Sequence, residues 1–289
     1  MITLCSLNYH TADYILFQDK IARELAFYKD YKRLIVESSD EQRKLQKISD
    51  IKFLDGKFLN EFEGSTAHGK AIQLLMDSVK TKYAIFLDPD ICILRKDWDK
   101  ILIDELENGN DWIGVTYNPL HNKRRMQNIP TVFFLVVNVE KMRKLNLNWM
   151  TLHQNIRKKI YRFQNIMWRK VLKKQGYPKW FDFEMGYKAL KKVKESKLQI
   201  SSFKMVQPWD ENSILKFDIS KLPLDRMKVD PLIHSYPEEW HYKGDLFLTH
   251  QRRSYAKSFN ETEYSSDWIT IIYRYLFDKY PDTYSTKNE

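Results

Sequence analysis

Four short apolar runs, at residues 2–7, 34–36, 51–54 and 83–87, alternate with segments whose apolar residues recur at helical spacing. From Ala12 to about Tyr28 the spaced residues are Ile15, Leu16, Ile21 and Leu25. From Ala67 to Val79 they are Ala71, Leu74, Leu75 and Val79, and from Trp98 to Leu106 they are Ile101, Leu102 and Leu106. Runs of three to six apolar residues bounded by turn signals read as buried strands, and the segments between them as amphipathic helices. Alternation of this kind predicts an α/β fold with a mostly parallel central sheet and right-handed crossovers.

Past residue 110 the order loosens. Residues 112–116 and 132–138 read as strands flanking a polar loop that carries His121, Lys123, Arg124 and Arg125. Residues 154–174 read as a basic amphipathic helix with Ile156, Ile160, Phe163, Met167 and Val171 on its apolar side. A short strand at 246–249 ends at His250, and a last helix at 269–280 follows the capping candidates Ser265 and Ser266. The reading is thus one α/β domain with helical additions after residue 150.

Composition narrows the class of protein. With only 8 glycines and 9 prolines in 289 residues, long flexible linkers are not expected. Cys5 and Cys92 both fall in strand-like surroundings and read as buried free thiols, which suits a reducing compartment. No basic segment leads into an apolar one at the N-terminus, and no apolar run is long enough to cross a bilayer. The expected location is therefore the cytoplasm, with at most peripheral contact at the inner face of the membrane. The formal net charge of +10 leaves nucleic acid, anionic lipid and phosphorylated small molecules open as partners.

The strand at 83–87 runs directly into Asp88-Pro89-Asp90. Two carboxylates at the carboxyl end of a buried strand sit where open α/β sheets bind ligands. They repel each other unless a cation lies between them, so a divalent metal is expected. Upstream, Gly64-Ser65-Thr66-Ala67-His68-Gly69-Lys70-Ala71 is a small-residue loop opening a helix. A strand ends in Val36-Glu37-Ser38-Ser39-Asp40, and the first strand ends in Leu7-Asn8-Tyr9-His10.

This ordered set resembles the nucleotide-sugar-binding half of the GT-A-fold glycosyltransferases, family 2-like and DxD-containing. The likeness covers residues 1–115, the expected nucleotide-sugar-binding half. Residues 116–289 would form the acceptor-binding half with the helical additions. The resemblance implies a metal-dependent enzyme of Leloir type, moving a sugar from a nucleoside diphosphate sugar to a glycan, lipid-linked or other hydroxyl acceptor. It implies that Asp88 and Asp90 hold Mn or Mg against the two phosphates, with the late His250 as a further metal ligand beside Arg252, Arg253 and Ser254. Asn8 and Glu37 would line the base or ribose pocket, and His68 and Lys70 would contact ribose or phosphates at a helix N-terminus. Trp180-Phe181-Asp182-Phe183-Glu184 resembles the segment that carries the catalytic base; Asp182 and Glu184 are two apart, so at most one of them is that base. Two features depart from the pattern: Glu37 stands where Asp is usual, and His68 where Asn is common.

Other classes fit less well. A sugar-nucleotide nucleotidyltransferase would carry a Gly-rich, Lys- or Arg-bearing loop after the first strand, which Leu7-Asn8-Tyr9-His10-Thr11 is not. A basic, non-enzymatic nucleic-acid-binding protein suits the charge and the aromatic content, but zinc-finger spacing, RNP-like strands and helix-turn-helix signatures are missing, so no nucleic-acid partner is expected. The basic helix at 154–174 reads either as a solvated helix packed on the sheet or as a contact for anionic membrane or a charged glycan.

Overall fold

A computed structural model describes residues 1–62, 64–116, 130, 133–150, 154–173, 187–218, 237–251 and 265–284. Among the described residues, ten strands form one sheet: β1 (Ile2–Asn8), β2 (Tyr31–Glu37), β3 (Ile51–Asp55), β4 (Tyr83–Leu87), β5 (Ile91–Ile93), β6 (Trp112–Val115), β7 (Phe134–Asn138), β8 (Ile200–Val206), β9 (Pro237–Tyr242) and β10 (Asp245–Gln251). Their spatial order is β3-β2-β1-β4-β7-β6-β8-β9-β10-β5. The first four strands are parallel, as the alternation predicts. Beyond β4 the sheet is mixed: only β6 and β8 pair in parallel, and every other neighbour is antiparallel. The expectation of a mostly parallel sheet therefore holds for the N-terminal half alone. β9 and β10 form an antiparallel hairpin, whereas helical segments lie between β5 and β6 and between β7 and β8.

The main helices are α1 (Ala12–Leu25), α3 (Ser65–Ser78), α4 (Trp98–Glu107), α5 (Val139–Lys144), α6 (Gln154–Ile166), α7 (Tyr187–Glu195) and α8 (Ser265–Lys279), with α2 (Gln42–Leu45) and α9 (Pro281–Tyr284) as short turns. Of these, α1, α4 and α8 cover one face of the sheet and α3, α5 and α7 the other. Tyr83, Ile85 and Leu87 of β4 point into a core shared with Tyr14, Ile21 and Leu25 of α1, Trp98 and Leu102 of α4, and Trp268 and Ile272 of α8. The alternate residues Ala84 and Phe86 point to the other side, against Ala71, Ile72 and Leu75 of α3, Val139 and Met142 of α5, and Ala189 and Val193 of α7. A strand covered on both faces must be apolar at every position, which is why 83–87 reads as an unbroken apolar run. Cys5 and Cys92 are buried and free, and burial pushes both thiols well above the usual range.

Gly69 lies inside α3, where glycine ordinarily weakens a helix. Here a Cβ would fall 2.6 Å from the Trp149 carbonyl oxygen, so the segment after α5 approaches the helix closely only because position 69 has no side chain. Gly69→Ala should therefore lower stability by about 1–3 kcal/mol despite alanine's better helix propensity. A thermal melt checks this; a melting temperature equal to or above that of the parent would contradict the close packing.

β5 follows β4 after only three residues, yet it pairs with β10 at the far edge of the sheet. Three residues reach about 10 Å at most. The far edge must therefore curl back to lie beside the carboxyl end of β4. This return brings the end of β10 against Asp88-Pro89-Asp90, and Gln251 N donates to Asp90 O at 2.9 Å. Among the described residues, no helix is long and apolar enough to cross a membrane.

Candidate active site

The Asp88–Asp90 turn is held at several backbone points. Asp88 N donates to Phe133 O at 2.9 Å. Gln18 Nε2 donates to Asp88 O at 2.9 Å and to Ile91 O at 2.8 Å, while Ser6 Oγ donates to Leu87 O at 2.9 Å. Gln18 is fully buried, and its Oε1 in turn accepts from Nη2 of the buried Arg33. A turn tethered from α1, β1, β10 and the segment before β7 has little freedom to re-aim its side chains.

Each aspartate faces an imidazole. His68 Nε2 is 3.3 Å from Asp88 Oδ1, and His250 Nε2 is 3.5 Å from Asp90 Oδ1. Asp88 keeps 28% of its side chain exposed and Asp90 only 10%, so Asp88 is the more open to solvent. Behind His250, Nδ1 lies 3.4 Å from Glu238 Oε2, off the line of a hydrogen bond, and the Phe133 ring stacks on the imidazole with centroids 5.3 Å apart. Removal from water pushes the Asp88 carboxyl up; Asp90 adds repulsion, and the two histidines pull it back. Burial alone would lower His250, but Asp90 and Glu238 overcome it and push the imidazole up to about 10. Three carboxylates around two histidines leave the cluster short of positive charge.

That raised His250 has a consequence for stability. Its folded value of about 10 stands above its ordinary value of 6.5, so the stabilisation from the charged ring is complete below about pH 6.5 and is lost as pH climbs through the folded value. In a chelator, denaturation midpoints should fall between pH 7 and pH 9.5, and His250→Asn should flatten that fall. A variant with the same pH dependence as the parent would show that His250 carries no buried charge.

Asp88, Pro89 and Asp90 form part of the lining of a cleft of about 860 Å³, together with Leu7, Tyr9, Thr11, Ser38, Asn60, Phe62, Gly64 and, from the start of α3, Ser65, Ala67 and His68. The N-terminus of α3 thus opens into the cleft, where the helix dipole favours an anion. Gly64, with φ of +48°, makes the turn into the helix.

Of the residues singled out in the sequence, His68, Asp88, Asp90 and His250 come together. Asn8 and Glu37 do not join them. Asn8 is fully buried; its Nδ2 donates to Glu37 Oε2 at 2.8 Å, and its Oδ1 accepts from Thr11 N and Oγ1. The other Glu37 oxygen accepts from Ser39 N and Oγ, both at 2.7 Å. The two side chains therefore clip the ends of β1 and β2 together, and Glu37 borders a second, adjacent hollow with Arg43, Asp55 and Lys57. Lys70 rests its ammonium 4.2 Å over the ring of Phe62, a residue of the cleft wall. Asp182, Glu184, Arg252, Arg253 and Ser254 lie outside the described residues, as does the basic loop with His121, Lys123, Arg124 and Arg125.

The donor atoms suit a hard or borderline divalent ion. Asp90 Oδ1 and His250 Nε2 are closer than twice a metal–ligand bond of about 2.1 Å, so one ion can touch both. Among the described residues, no three His, Cys, Asp or Glu side chains group as a complete cage. Mg and Mn accept such partial sets, because waters and substrate phosphates supply the remaining ligands.

Sequence reasoning missed Gln18, Glu238 and Phe133. Gln18 alone left a trace, a polar residue on the stripe shared by Tyr14, Ile15, Ile21, Ala22 and Leu25. A polar residue on a buried stripe must have an internal partner.

No family model and no curated protein matches the sequence. Among solved structures, the chain is similar to the mannosyltransferase PcManGT from Pyrobaculum calidifontis in complex with GDP-Man and Mn2+, at 13% identity and a TM-score of 0.39 over 50% of this chain and 46% of that one. It is also similar to the galactosyltransferase LgtC in complex with donor and acceptor sugar analogs, at 12% identity and 0.41 over 70% of this chain and 73% of that one. A third is S. aureus TarS 1–349 in complex with UDP-GlcNAc, at 14% identity and 0.38 over 51% and 48%. The chain thus spans less than half the length of the mannosyltransferase it overlaps. These overlaps are loose, and the chemistry assigned to the cleft rests on its own side chains.

Proposed function

We propose that this chain is a GT-A-type glycosyltransferase that binds a nucleoside diphosphate sugar in the cleft beside Asp88 and Asp90. The observation that carries the reading is the pair of aspartates at the carboxyl end of a central parallel strand, each facing a histidine, beside the N-terminus of α3. Asp90 and His250, with Asp88 at the cleft wall, would hold Mn or Mg. Such an ion, when bound, supplies Lewis-acid stabilisation of the charge on a departing diphosphate. The chain's own groups do the rest. The dipole at the start of α3 and the His68 ring would orient the phosphates, and Tyr9 on the cleft wall would offer a ring to a base or ribose.

In the transfer itself, an acceptor hydroxyl forms the new bond to the anomeric carbon as the bond to the diphosphate oxygen breaks. For an inverting transfer, Asp182 or Glu184 is the proposed base that takes the hydroxyl proton. Residues 1–115 would form the donor half and 116–289 the acceptor half, with a glycan, a lipid-linked sugar or another hydroxyl compound as acceptor. A calorimetric screen of UDP, GDP and their sugars with Mn2+ or with a chelator tests the reading. Binding of at least one nucleoside diphosphate that needs the metal is expected; metal-independent binding, or none, would refute it.

A further inference from the structure

Helix α6 and the π-helical turn that continues it, Met167–Val171, differ from every other long helix described here. From 154 to 174 the sequence holds eight Lys and Arg and no Asp or Glu, in a chain whose net charge is +10. The apolar residues at i, i+4, i+7 and i+11 (Ile156, Ile160, Phe163, Met167) fall on one stripe. In a helix packed on a sheet that stripe would be buried. Instead Ile156 is 50% exposed and Phe163 64%, Val171 and Leu172 are exposed beside them, and Ile160 and Met167 are only partly covered. Among the described residues, no other element but its own continuation packs extensively on α6. Of the two readings of this segment, the one in which the helix packs on the sheet is not what the described residues show.

We propose that this segment is an interfacial helix that docks the protein on an anionic lipid surface. Two features select lipid over other acidic partners. Lys159 and Lys170 border one edge of the apolar stripe and Arg162 lies a step further round on that side, an arrangement in which long basic side chains reach headgroup phosphates while the stripe enters the acyl boundary. Nucleic acid would use the charge and leave Ile156 and Phe163 in water. The helix is polar and charged overall, which fits lying in the interface rather than spanning it. The inference does not depend on the glycosyltransferase reading; it would place the cleft's owner at the same surface as a lipid-linked acceptor.

The test is flotation of the full chain with phosphatidylcholine vesicles, with and without about 30 mol% phosphatidylglycerol, at low and high salt. Recovery only with the anionic vesicles, reduced by salt, is expected. Phe163→Asp combined with Ile156→Asp should cut partitioning at least about tenfold. The triple variant Lys159→Glu, Arg162→Glu, Lys170→Glu should cut it by at least about a hundredfold. None of the five positions lines the cleft, so metal-dependent nucleotide binding, measured on the same samples, should be unchanged and serves as the check on folding. Equal recovery with neutral vesicles, no recovery with either, undiminished recovery of the variants, or retention on duplex DNA in place of vesicles would each overturn the proposal.

Discussion

Asp90→Ala should abolish metal-dependent nucleotide binding and reduce sugar transfer by about three decades or more, while the fold survives. A thousandfold loss corresponds to about 4 kcal/mol of transition-state stabilisation, the scale of a metal's effect on a developing phosphate charge. Survival of the fold follows from charge. Asp90 repels Asp88 in a site poor in water, and Glu238 remains beside His250 after the change. Removing one of three clustered carboxylates relieves repulsion as much as it removes attraction, so the melting temperature of the metal-free protein should move by only about 3 °C either way. Mn2+ should raise the melting temperature of the parent and leave that of the variant unchanged. Asp88→Ala should behave alike in transfer, with a smaller loss of metal affinity because Asp88 has no contact with His250 closer than its electrostatic influence. Full activity in either variant would remove the metal from the account.

Gln18→Leu should be the most destabilising single change near the site. The carboxamide links three buried groups: it donates to Asp88 O and Ile91 O and accepts from Arg33, whose Nε and Nη1 have no hydrogen-bond partner. Leucine is of similar size but leaves the buried guanidinium without its acceptor and the turn without its tether. Taking the acceptor from a buried guanidinium and the donor from two carbonyls costs about 3 kcal/mol or more. In a chain of this size, that lowers the melting temperature by roughly 10 °C. A second variant separates stability from function. Gln18→Glu keeps an acceptor for Arg33 but turns an oxygen toward the two carbonyls. It should recover most of the lost stability and still bind Mn2+ weakly, because the Asp88–Asp90 turn is no longer held. If Gln18→Glu bound metal as tightly as the parent, the tether would play no part in positioning the aspartates.

The parts of the fold legible in the sequence were those where burial dictates residue type. β4 is apolar at all five positions because helices cover both its faces, and its bounds in the sequence and the structure coincide. α1, α3, α4 and α8 each carry a stripe that the cores require. β9 gave no such signal. Pro-Glu-Glu-Trp-His-Tyr begins with a residue that cannot donate to a ladder and continues with two acids, yet every residue is buried. Glu239 is tolerated because Ser213 Oγ and the backbone N–H groups of Ile214 and Leu215 donate to it, partners contributed by a loop more than twenty residues away. β5 is three residues long and β8 reads Ile-Ser-Ser-Phe-Lys-Met-Val, too short and too mixed for periodicity to resolve.

The site divides in the same way. Asp88 and Asp90 were legible because a strand's end is a local property. The convergence of His250 on Asp90 depends on the sheet curling back through β10 and β5, which no local pattern encodes. Asn8 and Glu37 end neighbouring strands, as the sequence indicates, but side chains at adjacent strand ends can bond each other instead of a ligand, and these do.

The most direct measurement is a crystal structure grown with Mn2+ and the sugar nucleotide that binds best, with anomalous scattering used to find the metal. The account predicts an anomalous peak about 2.1 Å from Asp90 and His250, with the diphosphate completing the coordination at the mouth of α3. A diphosphate bound in that cleft with no anomalous density beside either side chain, or a metal and nucleotide held elsewhere on the chain, would contradict it.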